Sequence, residues 1–265
     1  MIDPELARQL HQDGCCVVPG VLSPAEAAHA RERLRAAAGE SERRGVPTFM
    51  PSLDPNDRNI RVFNLLDLDP LFRELIVHPT ALGFVHELLG EHFLISNFTA
   101  NTALPGSRSM PLHSDQALVV PEPWLAPWSL NVIWCLDDTC EANGATRYLP
   151  GSHRVERLSD LPADPVSATR AFEAPAGAIV VMDGRVWHTS GANVTESTER
   201  PLLFGYYSTD FLRPQVNWNV VLSEETREGL SEQMSHWLGL GAAANVRVGG
   251  TILARDTDKT AGETS

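Results

Sequence analysis

The chain has 265 residues, of which 43% are hydrophobic and 21% charged, with a formal net charge of −13. That length suits one well-buried domain and is tight for two, and the negative charge opposes nucleic acid as a partner. There is no run of about 18 apolar residues to span a membrane. The opening Met1-Ile2-Asp3-Pro4-Glu5 lacks the basic and apolar regions of a signal peptide. Cys15, Cys16, Cys135 and Cys140 are spaced as neither a zinc motif nor a disulfide framework, so a reduced, cytoplasmic setting is expected.

Leu6 and Leu10 ahead of Asp13-Gly14 predict a short helix. Cys15–Val18 then predicts a strand whose adjacent cysteines point to opposite faces. Ser23-Pro24-Ala25-Glu26 is a capping box with proline at the first helical position, opening a helix to about Ala38. Residues 39–59, with Pro47, Pro51 and Pro55, read as a long polar loop, a length that points to a functional segment such as a lid. Asn59–Leu65 reads as a strand, followed by helices over about 69–77 and 79–89. From His92 the character changes to short strand-like runs: Phe93–Ala103, Trp128–Leu136, Thr146–Leu149, Ala178–Met182, Val186–Ser190 and Pro201–Ser208. Turn residues such as Asn143-Gly144 separate them, a pattern that predicts a sandwich or barrel. Ser223–Leu238 reads as one amphipathic helix, and the small polar residues beyond Gly239 as a frayed tail. The expected organisation is one domain over residues 1–240: helical support over 1–90, a strand-rich core over 91–210, a C-terminal helix over 223–238, and a flexible tail over 241–265. No internal repeat is present.

The chemistry concentrates in His113-Ser114-Asp115 and His188, 75 residues further on. On a strand, residues i and i+2 share a face, so His113 and Asp115 are expected to point into one cavity. Two imidazoles and one carboxylate form the facial triad of non-haem Fe(II) oxygenases. The motif alone is a weak signal, better served by a capping aspartate and a surface histidine. Arg200 strengthens it. The loop Gly191–Glu196 lies midway between His188 and Arg200, so a chain reversal there is expected to return Arg200 beside His188 on a neighbouring strand. A guanidinium so placed can clamp a dicarboxylate, and Ser190 shares the face of His188. By itself, Arg200 would read as a surface residue paired with Glu196 or Glu199.

With these residues in place, the chain resembles the phytanoyl-CoA dioxygenase family of Fe(II)/2-oxoglutarate oxygenases over about three-quarters of its length. The matching stretches are Asp13-Gly14-Cys15-Cys16-Val17-Val18-Pro19-Gly20-Val21-Leu22-Ser23, Leu112-His113-Ser114-Asp115-Gln116, Asn143 to Arg154, Trp187-His188-Thr189-Ser190-Gly191 and Arg200-Pro201. The resemblance implies a mainly β fold with flanking α-helices on a double-stranded β-helix, or jelly-roll, core. It implies iron at His113, Asp115 and His188, 2-oxoglutarate held at its distal carboxylate by Arg200 with Ser190, and O₂ as oxidant. Asn101 and Thr146 are further candidate contacts to 2-oxoglutarate. Related halogenases carry a small residue at the place of Asp115, so oxidation rather than halogenation is implied.

The implied reaction oxidises, by hydroxylation above all, a small organic molecule such as a secondary-metabolite scaffold, with release of succinate and CO₂. Phe63, Asn97, Thr99, Trp128 and Trp134 are candidates for the substrate pocket, although core packing is the stronger claim for the tryptophans. Trp187 is expected to face away from His188, and at most one of Tyr206 and Tyr207 to face inward. His153, in a turn-like segment, reads as structural. Two other readings stay open: a cupin-like metalloenzyme that does not use 2-oxoglutarate, and a non-catalytic binding protein on the same scaffold. The sequence does not set the oligomeric state.

Overall fold

The computed structural model describes residues 2–241; the expected tail from residue 242 onward lies outside them. Helix α1 (Pro4–Asp13) is capped by the Asp3 side chain and stopped by Gly14, whose φ of 79° suits glycine. β1 (Cys15–Val18) follows, with Cys15 and Cys16 buried in different apolar clusters. The Ser23 capping box opens α2 (Pro24–Arg43), which runs past the expected end at Ala38. Gly39 is tolerated inside it, and Arg44 reaches back to Glu40 one turn earlier.

β2 (Asn59–Val62) is shorter than expected, because Asn64 turns left-handed (φ 54°) and opens an unforeseen helix α3 (Leu65–Leu68). α4 (Pro70–Ile76) and α5 (Pro79–Leu89) then precede the long strand β3 (Phe93–Ala103). The remaining strands are β4 (Ser129–Cys135), β5 (Thr146–Tyr148), the two-residue β6 (Arg170–Ala171), β7 (Ile179–Asp183), β8 (His188–Ser190) and β9 (Arg200–Thr209). The C-terminal segment is not one helix. After α6 (Trp218–Val221) come α7 (Glu224–Glu228) and α8 (Glu232–Trp237), each started by its own serine cap, Ser223 and Ser231.

The strands form a jelly roll of two antiparallel sheets. The larger sheet has the order β1-β7-β4-β9-β3-β2 and the smaller β6-β5-β8. Side-chain alternation on the larger sheet divides the interior. Leu130, Val132 and Trp134 of β4 face outward against helices, in one cluster with Ile76 and Phe84. Ile133 and Cys135 face inward, packing with Met182, Leu202, Phe172 and Val186. That inner cluster fills one half of the space between the sheets, and the half beneath β3 and β9 is left as a cavity.

A bulge in β3 selects which residues face that cavity. The register with β9 slips between Ile95 and Asn97, leaving Ser96 as the extra residue. Before the slip Phe93 and Ile95 face the helices, and after it Phe98 and Ala100 do. Asn97, Thr99 and Asn101 are thereby turned inward.

Trp134 is fully buried and meets His78 edge-on at 5.6 Å between ring centroids, on the face away from the cavity. Trp134→Ala is expected to destabilise the fold by about 3–5 kcal/mol, as large aromatic truncations in packed cores do; urea unfolding measures it.

Candidate active site

His113 and His188 exchange two backbone hydrogen bonds, 2.9 and 2.8 Å, as an isolated antiparallel pair beside the smaller sheet. Their imidazoles lie 4.3 Å apart between ring centroids. Asp115 is not on a strand with His113, as the i, i+2 spacing had suggested, but begins the turn that follows. Its direction is set by its neighbours. Ser114 donates its hydroxyl to the Gly184 carbonyl at 2.9 Å, and the Gln116 amide N–H donates to the same carbonyl at 2.8 Å. With both flanking residues anchored, the Asp115 carboxylate turns to the two imidazoles. Gly184 is needed there, since a Cβ would come within 1.9 Å of Ser129 Oγ.

Asp115 Oδ1 lies 3.8 Å from Nε2 of both His113 and His188, and one potential ligand atom from each of the three residues falls within 4.8 Å of the others. The other atoms of these side chains are engaged. His113 Nδ1 lies 2.9 Å from the Pro111 carbonyl and His188 Nδ1 3.0 Å from the Val186 carbonyl, which points each Nε2 lone pair into the cavity. Asn131 Nδ2 donates to Asp115 Oδ2 at 3.0 Å, leaving Oδ1 for the cluster. Burial, with a smaller contribution from His113, pushes the His188 pKa down against the pull of Asp115 and favours the neutral imidazole a metal requires. Two imidazole nitrogens and one carboxylate oxygen, all directed to one point, suit Fe(II).

The cavity, of about 280 Å³, runs from this cluster to Arg200. Arg200 is 1% exposed, and its Nε and Nη1 have no hydrogen-bond partner. Burial lowers its pKa to about 10, which leaves it cationic at neutral pH. It pairs with neither acid considered from the sequence: Glu199 instead bonds Arg35 at 3.0 Å. Nor does it stand on a strand beside His188. β8 pairs with β5 in the smaller sheet, while β9 lies between β4 and β3 in the larger one, so the chain crosses between sheets where a hairpin was expected. Buried Asn193 secures the crossover, donating from Nδ2 to the Ala103 and Thr198 carbonyls at 3.0 and 2.7 Å.

Ser190 and Thr146 face each other in register across β8 and β5, and both line the cavity. Ser190 Oγ accepts the Met110 N–H at 3.0 Å. Asn101 lines it too and donates to Asp54 Oδ1 at 3.3 Å. Asp54 also holds Arg61 at 2.7 Å and belongs to the loop before β2, which presents Leu53 to the cavity. Phe63, Asn97 and Thr99 are on the wall, while Trp128 and Trp134 are not. Trp134 has the wrong strand parity, and Trp128 packs edge-on against Phe211 at 5.3 Å. Trp187 turns from His188 to Trp124, Tyr206 faces the cavity, and Tyr207 donates its hydroxyl to the Ile76 carbonyl at 2.5 Å in the helix-facing core. His153 is buried with Nε2 3.1 Å from the His11 carbonyl, and Met234 and Trp237 pack in the core away from the site. Asn131 and Gln215 are wall residues with no sequence motif to mark them. They enter only through the alternation of β4 and the segment after β9.

The family model for phytanoyl-CoA dioxygenase matches residues 10–201. The chain is 50% identical over 231 residues, 87% of its length and 75% of the relative's, to dioxygenase af480 of Aspergillus fumigatus. It is 26% identical over 258 residues to multifunctional dioxygenase prhA of Penicillium brasilianum, covering 89% of this chain and 82% of that one. Among solved structures, HygX from Streptomyces hygroscopicus, with nickel and 2-oxoglutarate bound, superposes with a TM-score of 0.66 at 16% identity, covering 81% of this chain and 90% of that one. EctD from S. alaskensis, with 2-oxoglutarate and 5-hydroxyectoine, superposes with a TM-score of 0.64 at 20% identity, covering 79% and 77%. They share the fold.

Replacing Asn131 with alanine frees the Asp115 carboxylate and is expected to weaken metal binding by about 10–100-fold, the usual effect of removing a group that orients a ligand. Replacing His113 or Asp115 is expected to abolish it. Anaerobic titration calorimetry with Fe(II) reads both. From the matched family model and the 50%-identical relative, the chain belongs to the phytanoyl-CoA dioxygenase family and is a dioxygenase whose His-Asp-His cluster could hold a metal ion.

Proposed function

We propose that His113, Asp115 and His188 hold the iron, that Arg200 grips the distal carboxylate of 2-oxoglutarate, and that the enzyme hydroxylates a C–H bond of a small, uncharged secondary-metabolite scaffold. The observation that carries this reading is the buried guanidinium of Arg200, with Nε and Nη1 unpartnered, in the same cavity as a preorganised cluster of candidate metal ligands. Bound iron and 2-oxoglutarate supply O₂ activation coupled to oxidative decarboxylation of the keto acid to succinate and CO₂.

The protein's part is positioning and exclusion of water. The backbone carbonyls behind His113 and His188 fix the imidazoles, and Asn131 fixes the carboxylate. Arg200 offers its guanidinium, with Nε and Nη1 unpartnered, to a carboxylate in a buried position, where a charge-assisted pair is strong. Ser190 and Thr146 add hydroxyls on the opposite wall, and Asn101 adds its carboxamide. Asp115 fills the place a halide would need, which favours oxygenation.

An acyl-CoA substrate is disfavoured. Its phosphates call for several free cations, whereas Arg61 on the cavity wall is occupied by Asp54. A metalloenzyme that ignores 2-oxoglutarate would leave the Arg200 charge buried to no purpose. A non-catalytic binding protein would have no use for the oriented ligand set.

Arg200→Ala is expected to raise the KM for 2-oxoglutarate by roughly 30-fold or more, the loss that follows removal of one partner of a buried charge pair. Arg200→Lys, which keeps the charge without the fork, should recover part of it. Succinate release at varied 2-oxoglutarate measures both, and an unchanged KM in Arg200→Ala removes Arg200 from the site.

A further inference from the structure

About 20 Å of strand separates Arg200 from Tyr206 on β9, more than 2-oxoglutarate fills. The Tyr206 end has its own polar equipment. Asn97 and Asn131 are both in register with Tyr206, one on β3 and the other on β4, so the three side chains form a row across the inner face of the larger sheet. Asn131 serves the metal cluster through Asp115. Asn97, at the opposite end of the row, has no such duty.

The Ser96 bulge that turns Asn97 inward also builds its surroundings. Ser96 Oγ accepts the Gln215 N–H at 2.9 Å and the Ser96 carbonyl accepts the Val216 N–H at 3.0 Å, which fixes the segment after β9 against the bulge. Gln215 Oε1 then accepts Asn97 Nδ2 at 3.0 Å. One N–H of the Asn97 amide is thus used and the orientation of the amide set. Its Oδ1 is buried without a partner.

Among the cavity-lining side chains of the described residues, the buried unpartnered polar atoms are two on Arg200, Asn97 Oδ1 and Asn131 Oδ1. Apart from the arginine nitrogens, these buried unpartnered atoms are both acceptors. The rest of this end is apolar, with Phe63, Phe204 and the partly exposed Leu53 and Leu118. An ammonium group would find no free carboxylate, since Asp54 is paired with Arg61 and Asp115 belongs to the metal cluster.

We infer that Asn97, held by Gln215, is a specificity-determining residue that accepts a hydrogen bond from a hydroxyl group already present on an otherwise apolar, uncharged substrate. The inference rests on the reading of the Arg200 end as the 2-oxoglutarate site. It also sets the enzyme's place in a reaction sequence: a step that leaves a free hydroxyl on a hydrocarbon framework must precede it. Gln215 is a positioning residue, acting through the amide of Asn97.

The test uses the full chain loaded with Ni(II) and 2-oxoglutarate, which binds without turnover. Calorimetry compares trans-decalinol, its methyl ether and decalin as probes. Wild type is expected to bind the alcohol roughly tenfold more tightly than either of the others, the worth of about one hydrogen bond to a buried acceptor. Asn97→Leu and Asn97→Ala should erase that preference while still binding 2-oxoglutarate, and Gln215→Ala should reduce it. Equal binding of the three probes by wild type, no binding of any of them, or a preference retained in both Asn97 variants overturns the inference. Failure of wild type to bind 2-oxoglutarate would instead count against the co-substrate site. Bound 2-oxoglutarate without alcohol preference counts against Asn97 alone.

Discussion

Arg200 places a guanidinium between two β-sheets, at 1% exposure, and leaves two of its nitrogens without a protein partner. Burying a charge without compensation is costly, and proteins usually respond by pairing the group or shifting its pKa until it is neutral. Here burial moves the pKa only to about 10, so the charge persists at neutral pH. The cavity is built around that unmet charge. An anion would complete it, and the two histidines and the aspartate line the same cavity, which is what supports the proposal that a dianionic keto acid lies between the arginine and a metal.

The remaining architecture follows from keeping that space open and the groups around it fixed. The inner apolar cluster of Met182, Leu202, Phe172 and Val186 props the sheets apart on one side. The helices cover the outer face of the larger sheet, so its long strands are buried on both faces at β4, β7 and β9. Backbone carbonyls behind each imidazole and an amide behind the carboxylate hold the metal ligands before any metal arrives. Preorganisation of this kind keeps the ordering of the ligands from opposing metal binding.

Much of the fold could be read from the residues because its local signals agree. The Ser23 capping box, the Asp13-Gly14 stop, and the bounds of β1 and β3 all follow from short-range chemistry. What escaped was non-local. Reversal of the chain between His188 and Arg200 looks the same in sequence whether the two strands pair or cross between sheets, and only the partners available to β8 and β9 decide. Asp115 reaches the cluster from a turn, because Ser114 and Gln116 are tied to a carbonyl 70 residues away in Gly184. For Trp134 the residues left a pocket place open beside the favoured core packing, and strand parity decides for the core among the helices. Asn131 and Gln215 carry no motif, since an amide that supports a ligand or another amide needs only the right face and the right row.

The central claim is that Arg200 completes its charge with 2-oxoglutarate bound to iron in this cavity. The most direct measurement is the visible spectrum of the anaerobic protein with Fe(II) before and after 2-oxoglutarate is added. Chelation of the iron by the keto acid should produce a weak charge-transfer band in wild type, and Arg200→Ala should lose it at the same concentrations. If iron is demonstrably bound and no band forms in wild type, or if the band is undiminished in Arg200→Ala, the account is contradicted.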